Sequence, residues 1–309
     1  MTAVAAVDCG TNSLRLLIAD LDADGNLVER ERRTEIVRLG QGVDATGEFH
    51  PDALRRTFAV VEAYAERIEA AGVPVDRIHF VATSAARDAR NREEFFTGVL
   101  DRLGVMPDVI SGDREARLSF AGALSGVRVT AEPVLVMDIG GGSTELIVGS
   151  AVGTMASAVS LDIGSVRMTE RFLKAGPPTP AAVAAATAYI DDLLDRSGID
   201  FSSIQTWIGV AGTATTLGGV QLGLPQYDRA RVHGLLLSAD QVAALLERLR
   251  SMTIEEIRAL PSMHPGRADV VTGGALIASR VGVRTAAPGM VVSETDILDG
   301  IALEVLRTR

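Results

Sequence analysis

The apolar positions repeat with two different periods along the chain, and their alternation predicts an α/β protein. Short apolar runs rich in β-branched residues predict strands at 3–8, 14–21, 26–38, 77–83, 107–110, 134–139, 154–161 and 205–210. Apolar residues at helical spacing predict helices at 51–71, 92–103, 165–174, 179–196, 239–250, 267–281 and 296–307, and a further helix that opens after 111–113. The segments 40–50 and 222–234 remain as the loops long enough to act as lids.

One strand–turn–strand pattern occurs twice, over 7–18 and again over 137–148. In each copy an apolar strand ends in an aspartate, turns on glycine and small hydroxyl residues, and continues as a second apolar strand. Glycine permits the tight turn, and amide N–H groups that point into it form a concavity for an anion. A single copy is equally typical of a plain β-hairpin. Two aligned copies predict a pair of phosphate-binding turns, whose candidate residues are Thr11, Asn12, Ser13, Gly140, Gly141, Gly142, Ser143 and Thr144.

A carboxylate precedes each turn and changes the chemistry that the turn predicts. Asp8 and Asp138 only accept hydrogen bonds when ionised, so each would repel phosphate unless a cation lay between them. A hard divalent ion, Mg²⁺, fits this requirement best. Glu145 shares a strand face with Ser143 and therefore joins the two aspartates as a candidate metal ligand, although a solvated strand face is its alternative.

Composition and charge limit the possible partners. The 309 residues suggest two domains, and the net charge of −10 argues against binding nucleic acid through a general basic field. Cys9 is the only cysteine, so an intramolecular disulfide is excluded and a reducing compartment fits. No apolar run reaches the length of a membrane span, so we expect a cytoplasmic protein without membrane contact.

Further segments, taken with the two turns, have a more specific resemblance. In chain order the segments 8–13, 81–91, 110–118, 138–146 and 212–217, with a shorter match at 232–234, resemble motifs of the exopolyphosphatase and guanosine pentaphosphate phosphohydrolase (Ppx/GppA) family. That family lies within the superfamily of acetate and sugar kinases, heat-shock chaperones and actin. The resemblance implies two ribonuclease-H-like, actin-like ATPase lobes, each with a mixed sheet, and a cleft between them. We expect lobes at 1–126 and 127–309, with the option that the last helix packs back on the first lobe.

The same resemblance implies roles for individual residues. Glu115 matches the catalytic glutamate that activates water, although helix capping is the interpretation that its position alone favours. Arg87 matches a phosphate clamp, and Gly212 with Thr213 repeats the strand-then-glycine pattern of a phosphate turn. The chain departs from the family in carrying Arg114, where the residue before the catalytic glutamate is often acidic.

The implied activity is Mg²⁺-dependent hydrolysis of the terminal phosphoanhydride of inorganic polyphosphate, with Mn²⁺ as an alternative ion. The same residues fit guanosine pentaphosphate, the substrate that would connect the protein to the stringent response. An ATP-dependent small-molecule kinase and a non-catalytic nucleotide binder are further alternatives. The resemblance is to short, two-domain members, and we expect a homodimer.

Overall fold

The computed structural model describes residues 3–307, and its contacts divide the chain into two compact units. The first unit comprises the described residues up to Gly122 together with those from Ile297 onward, and the second comprises Ala123–Asp296. Residues 1–2 and 308–309, the outer ends of the two predicted lobes, lie outside the described residues. Each unit contains one mixed sheet with helices, which confirms the predicted fold class.

The sheet of the first unit is built around a fully buried strand. Its strands are β1 (Val4–Cys9), β2 (Ser13–Leu21), β3 (Leu27–Ile36), β4 (Ile78–Ala82) and β5 (Asp108–Val109), in the spatial order β3-β2-β1-β4-β5. Strand β1 pairs antiparallel with β2 and parallel with β4. All six residues of β1 are buried, as expected for a central strand covered on both faces.

Helices cover both faces of this sheet. They are α1 (Val43–Thr46), α2 (Pro51–Ala70), α3 (Ser84–Asp88), α4 (Arg92–Leu103), α5 (Gly112–Gly126), which runs past the unit division, and α13 (Ile297–Arg307). Helix α13 packs on β1 and β2, where Ile297, Ile301 and Ala302 join an apolar cluster with Val4 and Leu17. The last helix of the chain therefore belongs to the first unit by its core contacts.

The second unit repeats the central part of the first sheet. Its strands are β6 (Val134–Ile139), β7 (Thr144–Gly149), β8 (Met155–Leu161), β9 (Thr206–Val210), β10 (Leu236–Leu237) and β11 (Met290–Val292), in the order β10-β11-β9-β6-β7-β8. Strand β6 is fully buried, antiparallel to β7 and parallel to β9, as β1 is to β2 and β4. The duplication seen in the sequence is therefore a duplication of sheet topology.

The helices of the second unit enclose the largest single apolar cluster of the described residues. They are α6 (Ser165–Arg171), α7 (Pro180–Asp195), α8 (Ala211–Leu222), α9 (Arg229–Val232), α10 (Ala239–Arg250), α11 (Ile254–Arg258) and α12 (Val271–Gly282). Helix α12 is buried along most of its length and contacts α6, α7, α8 and α10. Within residues 3–307, no helix combines the length and apolar character that crossing a bilayer requires.

The structure differs from the predictions at two places. Gly212 and Thr213, which repeat the strand-then-glycine pattern of a phosphate turn, lie in the first turn of α8, because Ala211 already starts a helix directly after β9. The helix expected at 267–281 begins at Val271, since Pro265–Arg267 forms a separate 3₁₀ turn. The two candidate lid segments each contain a single-turn helix, α1 and α9.

Gly300 permits the close contact between α13 and α5, and we expect its substitution to be costly. A Cβ atom at this position would overlap the carbonyl oxygen of Leu118, which is backbone that cannot rotate away. Gly300→Ala gains about 1 kcal/mol of helix propensity, but overpacking costs roughly 1–3 kcal/mol. We therefore expect a lower urea midpoint for Gly300→Ala than for Glu304→Ala on the same helix. A midpoint equal to that of the control would contradict this packing.

Candidate active site

The turns of the two duplicated hairpins close with the same hydrogen bond. In the first hairpin the amide of Gly10 donates to the carbonyl of Ser13 over 3.0 Å. In the second, the amide of Gly140 donates to the carbonyl of Ser143, also over 3.0 Å. The two residues between these ends, Thr11 with Asn12 and Gly141 with Gly142, therefore occupy equivalent positions.

Neighbouring segments donate hydrogen bonds to the carbonyl oxygens of both turns. In the first unit the amide of Gly40 donates to Thr11 over 2.8 Å, and those of Val37 and Arg38 donate to Asn12 over 3.0 and 2.9 Å. The amides at 11 and 12 donate to no acceptor within residues 3–307. The peptide group between Thr11 and Asn12 is thus fixed with its N–H group available, which is the arrangement that an anion requires.

The second turn is held in the same way by the start of α6. The amide of Val166 donates to Gly141 over 2.9 Å, and the amide and Nε of Arg167 donate to Gly141 and Gly142 over 3.0 and 2.7 Å. In the part of the chain that the structure describes, the amides of Gly141 and Gly142 have no acceptor. Both predicted phosphate turns therefore present two consecutive N–H groups.

Gly40 and Gly164 pack closely against the two turns, and the sequence reasoning missed both positions. A Cβ at Gly40 would overlap the side chain of Thr11, and one at Gly164 would overlap the backbone of Gly141. Both glycines follow the third strand of their hairpin repeat, after β3 and β8. A comparison of the two copies that included the third strand would have revealed both glycines.

Two strained backbone positions lie beside these turns. Arg38 and Ala211 are the described non-glycine residues with positive φ, at 53° and 61°. Arg38 holds the carbonyl of Asn12, and Ala211 begins α8 at the end of β9. Such outliers persist where the surrounding structure imposes them, and they are concentrated at functional sites.

The two aspartates that precede the turns differ in the charge of their cross-strand partners. Asp8 and Arg15 are cross-strand partners in register, and Arg15 donates from Nε and Nη2 to Asp8 Oδ2 over 2.9 and 2.6 Å. At the equivalent positions of the second hairpin, Asp138 pairs with Glu145. Directly opposed side chains lie about 5 Å apart at Cβ, so the first hairpin carries its own cation whereas the second brings two carboxylates together.

The carboxylates of the second hairpin fit a magnesium site. Asp138 and Glu145 are 6% and 1% exposed, and Ser160 donates to Glu145 Oε1 over 2.8 Å. Like charges at this separation favour a bound cation. Among the described residues there is no group of three or more His, Cys, Asp or Glu side chains that would hold a metal. Mg²⁺ commonly uses one or two carboxylates and completes its shell with water and phosphate oxygens, so two ligands suffice.

Arg87 fixes the predicted catalytic glutamate. Arg87 Nη1 donates to Glu115 Oε2 over 2.8 Å and to the carbonyl oxygen of Ile110 over 2.9 Å. Glu115 lies in the first turn of α5 and is 7% exposed. This arrangement places Glu115 near the carboxyl end of β5, while Thr11 at the end of β1 contacts Ser84 after β4 with their hydroxyl oxygens 3.0 Å apart. Ligands of α/β sheets bind at this edge.

The start of α8 lies beside the second turn. Thr213 donates its hydroxyl to the carbonyl oxygen of Ile139 over 3.4 Å. Arg267 Nη1 donates to the carbonyl of Gly212 over 3.2 Å, and a side chain at Gly212 would crowd the guanidinium. The structure thus brings Thr213 to the second hairpin, although Gly212 and Thr213 belong to a helix start.

Cys9 is a packed residue of β1. It is 1% exposed, and burial, with a smaller contribution from Asp8, raises the pKa of its thiol well above the ordinary value. A thiol that stays protonated is a poor nucleophile.

Comparison with known proteins agrees with these features. The profile of the Ppx/GppA phosphatase family matches residues 17–308. The chain belongs to the Ppx/GppA phosphatase family. It is 43% identical over 319 aligned residues to exopolyphosphatase 2 of Mycobacterium tuberculosis, covering 99% of both chains. Membership of a phosphatase family favours a phosphoanhydride hydrolase over the kinase and nucleotide-binder alternatives.

Two further relatives extend this comparison. The crystal structure of an exopolyphosphatase-like protein superposes with a TM-score of 0.93 at 42% identity, covering 98% of this chain and 97% of the other. A guanosine-5'-triphosphate,3'-diphosphate pyrophosphatase of Photobacterium profundum is 31% identical over 258 residues, which are 81% of this Ppx/GppA chain and 50% of that protein. The predicted family and fold are confirmed.

The charge difference between the hairpins predicts the result of exchanging Arg15 and Glu145. Arg15→Glu creates a second opposed pair of carboxylates with Asp8, so we expect Mn²⁺ binding to rise from one to about two ions per chain. Glu145→Arg gives the second hairpin the charges of the first, and we expect it to abolish Mn²⁺ binding. Electron paramagnetic resonance of free Mn²⁺ measures both stoichiometries.

Arg33→Glu on the exposed part of β3 serves as the control for Arg15→Glu, since it makes the same charge change outside the turns. Circular dichroism checks that each variant remains folded. An unchanged number of bound Mn²⁺ ions in folded Arg15→Glu and Glu145→Arg variants would contradict the hypothesis that the residue opposite each aspartate controls metal binding.

Proposed function

We propose that this chain hydrolyses the terminal phosphoanhydride of inorganic polyphosphate and releases orthophosphate. The contact between Arg87 and Glu115 carries the proposal, because it holds a buried carboxylate in a defined orientation. The first phosphate turn, which follows β1, lies on the same sheet as β5, the strand that precedes Glu115. The resemblance to exopolyphosphatase 2 of Mycobacterium tuberculosis over nearly the full length of both chains supports the same substrate.

In the proposed reaction each turn binds phosphate through its own amides. The amides at 11–12 and 141–142 donate to phosphate oxygens, and the hydroxyls of Ser13 and Ser143 are further candidate donors. The amides of Asn12, Gly141 and Gly142 need no rearrangement. The carbonyls that share their peptide groups, those of Thr11, Gly140 and Gly141, already accept hydrogen bonds from the segments that follow β3 and β8. Positioning and charge stabilisation are the main requirements of phosphoryl transfer.

Glu115 acts as the general base. Its carboxylate accepts a hydrogen bond from the attacking water, aligns it with the terminal phosphorus, and takes its proton as the new P–O bond forms. The bond between that phosphorus and the bridging oxygen breaks, and the shortened chain leaves with the negative charge. Arg87 positions Glu115 through Nη1, and its role as a phosphate clamp stays a prediction.

Asp138 and Glu145 are the proposed ligands of a divalent ion, Mg²⁺ or Mn²⁺. Ppx/GppA phosphatases generally depend on a divalent metal. When bound, the ion supplies positive charge that offsets the charge of the transferred phosphoryl group. The predicted role of Asp8 as a third ligand has less support, because Arg15 already lies against its carboxylate.

Guanosine pentaphosphate is the second candidate substrate, favoured by the relative from Photobacterium profundum. It presents a terminal phosphoanhydride of the same chemistry, so the turns and Glu115 would act on it unchanged. A cytoplasmic location and a homodimer complete the proposal. Light scattering after size-exclusion chromatography measures the oligomeric state.

Replacing the proposed base separates chemistry from binding. We expect Glu115→Gln to lower kcat for Mg²⁺-tripolyphosphate by about 10²–10⁴-fold while KM changes little, because the amide keeps the shape but cannot take the proton. Orthophosphate release over time is the measurement. Glu62→Gln, an exposed glutamate of the same unit, is the control. Full activity of Glu115→Gln would remove Glu115 from this role.

A substrate comparison decides between the two candidates. If the chain is an exopolyphosphatase, we expect kcat/KM for long-chain polyphosphate to exceed that for guanosine pentaphosphate at the same Mg²⁺ concentration. The reverse order would assign the second function. Turnover of neither substrate by folded, metal-loaded protein would overturn both assignments.

A further inference from the structure

A cavity of about 480 Å³ opens on the first unit beside the Arg87–Glu115 contact. Its volume lies in the range of small-molecule sites. Arg87, Arg92 and Ser111 form its polar lining. The rest of the lining is apolar and consists of Phe96, Pro107, Val109 and Ile110. All of these residues belong to the first unit, so the cavity is complete without the second.

The polar lining suits a phosphate group. Arg92, the first residue of α4, is exposed and makes no ion pair or hydrogen bond with the residues that the structure describes. Arg87 uses only Nη1 for Glu115 and Ile110, so Nε and Nη2 have no acceptor among residues 3–307. The Ser111 hydroxyl oxygen accepts the amide of Arg114 over 3.3 Å, which leaves its proton to be donated. Two guanidinium forks and a hydroxyl match the donors that phosphate binds.

The apolar lining indicates a ring as well as a phosphate. Phe96 lies four residues after Arg92 on α4, so the two side chains share one helix face. Pro107 and Val109 add apolar surface from the β5 segment. An inorganic polyphosphate chain has no apolar part to use this surface, whereas a heteroaromatic ring stacks well on a phenyl group.

We propose that this cavity is a second ligand site, separate from the phosphate turns, for a phosphate ester that carries a planar ring, such as a mononucleotide. Its phosphate lies between Arg87 and Arg92, and its ring packs on Phe96. Arg87 connects the site to the reaction, since the same guanidinium holds Glu115. An anion bound at Nε and Nη2 of Arg87 weakens the attraction of the guanidinium for Glu115 and thereby slows turnover. This last step rests on the proposed function, whereas binding does not.

Binding is tested by isothermal titration of the full chain with AMP in EDTA, without polyphosphate. We expect Arg92→Gln to weaken AMP binding by about tenfold, the loss of one charged hydrogen-bond contact. Phe96→Leu weakens AMP binding by a similar factor but leaves the binding of inorganic phosphate unchanged. Arg55→Gln is the control, because Arg55 is an exposed helix arginine of the same unit that does not line the cavity.

A variant of the second turn distinguishes this cavity from the phosphate turns. We expect Ser143→Ala to bind AMP as the wild type does. Loss of AMP binding in Ser143→Ala with retention in Arg92→Gln would place AMP at the turns and overturn the proposal. Absence of AMP binding to the folded wild type at millimolar concentration would also overturn it.

Kinetics test the connection to Glu115. We expect AMP to lower kcat for Mg²⁺-tripolyphosphate without raising KM, and Arg92→Gln to keep the basal kcat while losing this inhibition. Inhibition that only raises KM would show competition at the turns and contradict the connection. If no substrate is turned over, the titrations alone decide the site, so failure of the proposed function remains distinguishable.

Discussion

The site depends on how the peptide groups of two short turns are oriented. A protein of net charge −10 cannot attract a polyanion by its overall field, so local donors must do so. In both turns the carbonyl oxygens are occupied by amides from the segment after the third strand, and the N–H groups are left for a ligand. Reversing one of these peptides would place a carbonyl oxygen against phosphate. Gly40 and Gly164 maintain the orientation because they let the anchoring segments approach closely.

The duplicated hairpins share a backbone but differ in charge. Arg15 neutralises Asp8, whereas Glu145 adds to the negative charge of Asp138. A second carboxylate costs free energy unless a cation is bound. In our proposal the same fold serves as a bare phosphate turn in one unit and as a turn with a divalent ion in the other. Divergence at a single cross-strand position would account for this division of roles.

The contacts around Glu115 connect the proposed chemistry to the rest of its unit. Arg87 is held by the carbonyl of Ile110, which immediately precedes the segment that opens α5 and carries Glu115. Arg114, the departure from the family pattern, faces Asp108 and Glu304 at 2.6 and 3.2 Å. Its charge is therefore balanced by other acidic residues. The orientation of Glu115 follows from Arg87.

Local patterns in the sequence were enough to predict the central strands, most helices and the two turns. The alternation of apolar runs with glycine-rich turns requires only local geometry, and the repeat over 137–148 identified equivalent residues such as Ser13 and Ser143. The helical state of Gly212 and Thr213 was missed, because glycine and threonine are weak helix formers and tertiary packing overrode that preference.

Tertiary structure decided which charged side chains pair with each other. Cross-strand register placed Arg15 on Asp8, and strand order brought Arg87 to Glu115 across 28 positions of the chain. It also selected Gly40 and Gly164, whose need for close approach appears only when the third strand is in place. The sequence by itself determined which residues have the chemical type that phosphate and metal binding require, because that depends on the side chain and on local turn geometry. The pairing of charges depends on distances between residues remote in the chain, and only the folded sheets establish these.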